Sequence, residues 1–215
     1  MRINNNNILF TLTLVLFLIC TSPAQAGAFT GTDVYGDGTQ SWYLGTQSED
    51  IFYFGVFVGR NQYEIDNTSY NQGYMAAGLG YRWYSSWTTN VLLGLENSRV
   101  RKAGQIGREG DLYRGLYAQL GLMKFLGDKN LEYLLSYSAA SEQLWTRFRL
   151  KYYTSSGFLL GPEFFYSRFL STPSQGAGIV LEKVVFPFTI TGKIGARNQS
   201  SEAAAYGGLE LYYAF

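Results

Sequence analysis

Three cationic side chains alternate with apolar ones in one short segment, where Arg147, Arg149 and Lys151 are separated by Phe148 and Leu150. If the segment is a β-strand, alternate side chains point to opposite faces, so the three cations share one face. Such a basic ladder could guide an anionic sugar or a phosphate. A plainer interpretation is that acids on other strands pair with the ladder, because buried charges need partners.

The same alternation places eight further charged side chains on the face that the ladder occupies. With the ladder they give six bases and five acids, a near balance that fits ion pairing. The eight are Arg82, Glu96, Glu132, Glu163, Glu182, Lys193, Arg197 and Glu210. Three tyrosines on this face could stack against sugars or simply fill space, namely Tyr117, Tyr206 and Tyr212.

The composition argues against catalysis. The chain has no histidine, which is the commonest general base and a common metal ligand, and its one cysteine is Cys20. Paired carboxylates could still do acid–base work, but no acidic pair is singled out by its spacing. We therefore expect no catalytic residue, no metal site and no cofactor. The net charge of +1 indicates no nucleic-acid partner.

Short aromatic and apolar segments bounded by turn residues must position these groups, and the sequence contains twelve of them. None of the segments after residue 26 is long and apolar enough for a membrane helix. A form of the chain that spans a membrane would therefore have to be a closed barrel. We predict an all-β, closed, antiparallel up-and-down transmembrane β-barrel of twelve strands, with ten as an alternative. The predicted strands are 28–36, 41–48, 51–63, 72–84, 88–100, 112–126, 131–139, 142–154, 157–169, 175–186, 188–198 and 203–215.

The connections between these strands alternate in length. Those after even-numbered strands are short, whereas 66–71 and 101–111 are longer. An even strand number places both termini in the periplasm, where the short connections then lie. Aromatic residues near that end would form an interfacial girdle, namely Trp83, Tyr84, Trp87, Tyr152, Tyr153, Tyr213 and Phe215.

The N-terminus has the pattern of a secretory signal peptide. Arg2 precedes an apolar run from Ile8 to Cys20, and small residues follow at Ala24 and Ala26. The run is too short for a comfortable membrane-spanning helix. We expect residues 1–26 to be a cleaved signal peptide and 27–215 to form a single barrel domain.

The final segment alternates an apolar face with a face that carries Glu210. The apolar face holds Leu209, Leu211, Tyr213 and Phe215. A strand of this kind that ends on an aromatic residue resembles the closing strand of bacterial outer-membrane barrels. That resemblance implies an insertion signal formed by these four residues, with outer-membrane lipid and the barrel-assembly machinery as partners. The last strand of a soluble sheet is the alternative.

Several short motifs resemble the cellulose biosynthesis protein BcsS family, whose members are small exported proteins encoded with bacterial cellulose synthase. The motifs are Phe29-Thr-Gly-Thr-Asp33, Tyr43-Leu-Gly45, Leu79-Gly-Tyr81, Leu160-Gly-Pro-Glu163 and Ala205-Tyr-Gly207. The resemblance implies a non-enzymatic accessory of cellulose or related exopolysaccharide synthesis and export. Its partners would be the polysaccharide and its secretion apparatus.

Other functions remain open beside that accessory role. A narrow outer-membrane channel for anionic oligosaccharides or other small solutes fits the basic ladder. A closed structural barrel whose outer loops bind a protein partner fits the same fold. A lipid-modifying enzyme is disfavoured, because outer-membrane acyl hydrolases and acyltransferases use a histidine and this chain has none.

Overall fold

The structure is a computed structural model that describes residues 26–35, 40–48, 51–65, 68–102, 110–169, 172–199 and 202–214. These residues form twelve β-strands, and the described connections between them are turns. No helix among them is long and apolar enough to cross a membrane. The strands are β1 (Ala26–Tyr35), β2 (Gln40–Ser48), β3 (Phe52–Ile65), β4 (Thr68–Tyr84), β5 (Thr88–Lys102), β6 (Asp111–Leu126), β7 (Lys129–Ser138), β8 (Gln143–Tyr153), β9 (Leu159–Phe169), β10 (Thr172–Val185), β11 (Phe188–Gln199) and β12 (Glu202–Ala214).

The strands close into one antiparallel barrel. Each strand pairs with its neighbours in sequence, and β1 closes the sheet by pairing with β12 from Gly27 opposite Ala214 to Tyr35 opposite Tyr206. Closure leaves no strand edge unpaired, which a sheet surrounded by lipid requires. The predicted all-β, twelve-stranded up-and-down barrel is therefore confirmed, and the ten-stranded alternative is wrong.

The predicted loop over 66–71 is wrong at 68–71, because β4 begins at Thr68 opposite Ile65, while 66–67 lie outside the described residues. The side-chain oxygen of Asn71 accepts hydrogen bonds from Gln62 at 2.9 Å and from Arg60 at 2.6 Å. These polar residues suggested a turn, but their cross-strand hydrogen bonds continue the sheet. Other strand boundaries also differ slightly from the prediction, which placed three strand residues in connections. Arg101 belongs to β5, Asp111 to β6 and Asn130 to β7.

The outer surface of the barrel is apolar around its middle. Leu79 on β4 and Leu93 on β5 leave 73% and 64% of their surface exposed, as their predicted outward positions require. A soluble barrel would bury such residues, whereas a barrel in a bilayer presents them to hydrocarbon. Other exposed members of this belt are Phe54, Leu95, Leu116, Phe164, Ile179, Leu181, Ile190, Ile194 and Leu209.

One end of the barrel, called the terminal end below, holds Ala26, Ala214 and the turns at 85–87, 127–128, 154–158 and 186–187. The predicted girdle residues that are described lie at this end, and Phe215 lies outside the described residues. Lysines lie over aromatic rings here: Lys124 over Trp87 at 5.1 Å, Lys129 over Tyr152 at 5.5 Å and Lys183 over Phe158 at 4.4 Å. Amphipathic side chains of this type suit a membrane–water interface.

The predicted signal peptide, residues 1–26, lies outside the described residues except for Ala26, which begins β1. The predicted insertion signal lies on β12. Leu209, Leu211 and Tyr213 pair with Gly192, Ile190 and Phe188 on the outward face of β11, and their role in insertion stays a prediction.

Candidate functional site: the barrel lumen

Aromatic rings fill much of the lumen on the side formed by β1 to β6. Phe57 lies between Phe29 and Tyr117, with ring centroids 5.6 Å and 5.8 Å away. Buried Tyr53 and Leu92 belong to the same cluster. We call this side the aromatic wall.

Glycines on neighbouring strands make room for these rings. A Cβ built on Gly45 would lie 2.3 Å from the ring of Phe29, and one on Gly80 would lie 2.2 Å from the ring of Tyr53. Both separations are far below van der Waals contact, so a side chain at either glycine would displace the ring. The abundance of glycine and aromatic residues in this sequence thus has a common structural cause.

The opposite side of the lumen is charged, and Arg149 of β8 lies at its centre. Its Nε donates to Glu163 of β9 at 2.5 Å, and its terminal nitrogens donate to Glu210 of β12 at 2.8 and 2.9 Å. Both Arg149 and Glu163 have side chains only 2% exposed. Charges buried this deeply are tolerated only when paired, and here the guanidinium binds two carboxylates.

Glu210 collects three cations. Besides Arg149, it binds Arg147 at 2.8 Å and Lys193 at 2.9 Å. Lys193 also binds Asp33 of β1 at 2.7 Å. The cluster therefore connects strands on both sides of the seam at which the barrel closes.

The third ladder residue, Lys151, has two partners of its own. Its ammonium group donates to Glu132 of β7 at 2.5 Å and to Glu182 of β10 at 2.8 Å, and its side chain is fully buried. Thr191 of β11 donates to the same oxygen of Glu182 at 3.0 Å. Every cation of the ladder is thus bound to at least one carboxylate.

The structure therefore brings together eight of the eleven charged residues that the sequence assigned to the lumen. The other three lie apart. Arg82 donates to Asn90 and lies over the ring of Tyr53 near the terminal end. The remaining two have different neighbours: Glu96 accepts from Ser141 at 3.4 Å, and Arg197 lies 3.5 Å over the ring of Tyr35.

Sequence reasoning missed Asp33 and most of the aromatic wall. Asp33 lies two residues from Gly31, which pairs with Glu210, so period-two alternation along β1 could have assigned it to the lumen. Tyr206 does more than fill space in the lumen, because its hydroxyl donates a hydrogen bond to Glu163 at 3.0 Å. Only 3% of its surface is exposed. Tyr117 donates to Gln119 at 2.9 Å.

A cavity of about 520 Å³ lies between the two sides of the lumen. Its lining extends from Tyr35 and Thr172 near one end of the barrel to Glu182 and Thr189 near the terminal end. One hydrogen bond across the interior narrows the cavity, because Gln72 of β4 donates to Gln143 of β8 at 3.3 Å. The described residues contain no cluster of three or more potential metal ligands of the His, Cys, Asp or Glu type.

The charges of the lumen residues described so far balance. The twelve discussed above are six bases and six acids, once Asp33 is added to the residues that the sequence assigned. The basic ladder is thus embedded in an equal number of carboxylates, and the lumen does not carry a strong net positive field.

No protein-family model matches the chain, and no curated protein sequence does. Solved structures do match it. The KdgM porin shares 11% identity at a TM-score of 0.53 and covers 88% of this chain and 99% of its own. LpxR from Salmonella typhimurium shares 9% identity at a TM-score of 0.56, covering 88% and 100%. The TodX deltaS2S3 mutant monoaromatic hydrocarbon channel shares 10% identity at a TM-score of 0.53, covering 91% of each chain.

These similarities concern the fold, because the identities are low. The fold is that of bacterial outer-membrane β-barrels, and the apolar belt around this chain agrees with it. What passes through or binds inside the barrel has to be argued from the lumen itself.

Proposed function

We propose that the protein is a narrow channel of the bacterial outer membrane that admits small polar solutes, with short oligosaccharides as the solute class. The observation that carries this proposal is the lumen cavity, whose mixed aromatic and polar lining extends towards both ends of the barrel. The predicted signal peptide would export the chain, and the terminal end would face the periplasm.

The chemistry of the cavity suits sugars. Tyr43, Tyr74 and Tyr117 present aromatic groups along one side, where the apolar face of a sugar ring can stack. Gln72 and Gln119 present amide groups beside them. Amides and paired carboxylates can exchange hydrogen bonds with sugar hydroxyls in many orientations, as a solute that must keep moving requires.

The balanced charge favours weak rather than strong ion selectivity. Arg147, with a side chain 16% exposed, lies at the cavity surface and can meet a carboxylate on a passing sugar. Its partner Glu210 is 14% exposed and would repel the same group. The channel should therefore admit acidic and neutral sugars of similar size.

Two structural neighbours support a channel without defining its solute. One is a KdgM porin in complex with disordered oligogalacturonate, at 11% identity and a TM-score of 0.51, and the other is the TodX hydrocarbon channel. Their names describe those proteins. They indicate that barrels of this size and shape can conduct small molecules.

An accessory role in cellulose or other exopolysaccharide export is the second candidate. Residues from four of the five motifs that resemble the BcsS family lie inside the barrel: Tyr206 donates to Glu163, Lys193 joins Asp33 to this cluster, and Phe29 lies 6.3 Å from Tyr43. In the fifth motif, Leu79 and Tyr81 are exposed on the outer surface. In this role the lumen would contact a polymer chain or remain closed, and small sugars would not pass freely.

Swelling of vesicles that contain the refolded protein separates these two functions. Vesicles should swell in galactose and in galacturonate, and more slowly in the corresponding trisaccharides. Ser136→Trp places a large ring in the cavity and should abolish swelling. Leu135→Trp is the matched control, because Leu135 pairs with Leu120 and Thr146 on the outward face and should leave swelling unchanged.

Folded protein that supports no swelling would contradict the channel and favour the polysaccharide accessory. Equal swelling with both tryptophan variants would show that solutes do not pass through this cavity.

A further inference from the structure

Four arginines face outward near the end of the barrel opposite the terminal end. Arg99 and Arg101 follow Leu93 and Leu95 on the outward face of β5, so they lie just beyond the apolar belt. The other two are on neighbouring strands. We call Arg60 of β3, Arg99 and Arg101 of β5, and Arg114 of β6 the arginine patch.

The patch surrounds a notch over Gly73 of β4. Gly73 pairs with Arg60 on one side and with Arg99 on the other, so the three residues form a row across three strands. A Cβ built on Gly73 would meet nothing within 4 Å. Because neighbouring strands lie about 4.8 Å apart, the two arginine backbones are separated by about 10 Å, with open space between them.

No acidic side chain that the structure describes neutralises the patch. Among those side chains, no carboxylate forms an ion pair with any of the four arginines, and Arg60 binds the neutral side chain of Asn71 at 2.6 Å. The Nε atoms of Arg99 and Arg101 are buried and make no hydrogen bond. Buried donors without acceptors are costly, and an anion bound over the patch would supply the acceptors that these groups lack among the described side chains.

The position of the patch defines the anion. Met75 and Leu116 are exposed on the same outward surface, closer to the middle of the barrel. A ligand lying against this surface must carry apolar tails beside them and a negative group at the level of Arg99. Arginine binds phosphate through two parallel N–H donors, which favours a phosphate over a point charge.

The terminal end is built differently. Its outward cations are Lys124, Lys129 and Lys183, and each lies over an aromatic ring. The two ends of the barrel therefore present different chemistry to the two leaflets, and only the arginine patch combines several guanidinium groups with an open notch among the described residues.

From this arrangement we infer that the arginine patch binds the phosphate-bearing headgroup of a membrane lipid, with the phosphate in the notch over Gly73 and the acyl chains along the apolar belt. This site is separate from the lumen and does not depend on whether the barrel conducts solutes. It would fix the depth and orientation of the barrel in the leaflet that supplies the lipid.

Native mass spectrometry of the refolded protein in detergent tests the site. The probe is phosphatidic acid, and diacylglycerol with the same acyl chains is the control for binding through the tails alone. The wild type should retain phosphatidic acid and not diacylglycerol. Arg60→Gln combined with Arg99→Gln should weaken retention at least tenfold, and Gly73→Leu should do the same by filling the notch.

Arg168→Gln is the matched control, because Arg168 is an exposed arginine at the same end, on β9. It should retain the lipid as the wild type does. Folding of each variant is checked by its heat-dependent mobility in gels. The site is blocked in two independent ways, by removing two arginines and by Gly73→Leu, so the test still works if one of these variants misfolds.

Three results would overturn the inference. Equal loss in the Arg168→Gln variant would indicate general electrostatics. Equal retention of diacylglycerol would indicate that the tails bind alone. Complete displacement of the lipid by millimolar inorganic phosphate would indicate a site for free phosphate.

Discussion

Arg149 and Glu210 form a two-point ion pair across the lumen. The two terminal nitrogens of Arg149 on β8 donate to the two carboxylate oxygens of Glu210 on β12, at 2.8 and 2.9 Å. Three strands separate β8 from β12 along the barrel wall, so this pair ties two distant parts of the sheet together. It also limits the width of the passage beside it.

Glu210→Ala should strongly destabilise the barrel. It leaves Arg147, Arg149 and Lys193 sharing fewer carboxylates in a largely buried cluster, and removing one partner from such a cluster costs about 3–5 kcal/mol. The measurement is the free energy of unfolding in urea, followed by tryptophan fluorescence of protein refolded into vesicles.

Glu132→Ala is the control for that loss. Its side chain is 26% exposed, and its partner Lys151 keeps Glu182, so the cost should be about 1 kcal/mol or less. Equal losses for the two variants would show that Glu210 is not the centre of the network.

Two glycines on β11 should respond differently to the same substitution. A Cβ on Gly195 would lie 2.3 Å from the carbonyl oxygen of Ala177 and 2.6 Å from the ring of Tyr206, whereas one on Gly192 would meet only a carbonyl 4.0 Å away. Gly195→Val should therefore displace Tyr206 and lower the urea midpoint of unfolding. Gly192→Val should leave the midpoint near that of the wild type, and an equal drop would contradict the inward packing of Tyr206.

The apolar belt predicts a depth-dependent cost of charge. Ile194 on β11 is 68% exposed in the middle of the belt, and Asn198 is exposed on the same face near the end. Ile194→Arg should cost about 2–4 kcal/mol in vesicles and Asn198→Arg about 0–1 kcal/mol, because a charge near the bilayer centre is poorly solvated. A smaller cost at Ile194 than at Asn198 would contradict the placement of the belt.

The sequence was sufficient to predict the strands and their faces, because both depend on local signals. Turn residues marked the strand ends, and period-two alternation placed Leu93 outside and Arg149 inside. The error at 66–71 has the same origin: polar residues there looked like a turn, yet Asn71 continues the sheet through hydrogen bonds that only the register reveals.

Contacts across the lumen could not be predicted in this way. Alternation shows that Arg149 and Glu210 both point inward, but their meeting depends on the width of the barrel and on the stagger of its strands. The aromatic wall was missed for a related reason, since the fit of Phe29 over Gly45 follows from the register between β1 and β2. Because of these long-range contacts, carboxylates on other strands neutralise the basic ladder, and we therefore expect weak ion selectivity.

The most direct test of the proposed channel is the single-channel conductance of refolded protein in a planar bilayer, with ion selectivity recorded. The wild type should conduct steadily with weak selectivity, because the cations and carboxylates of the lumen balance. The double variant Arg147→Glu, Arg149→Glu should conduct with its selectivity shifted towards cations, measured on protein shown to be folded. No conductance from demonstrably folded wild-type protein would contradict the channel.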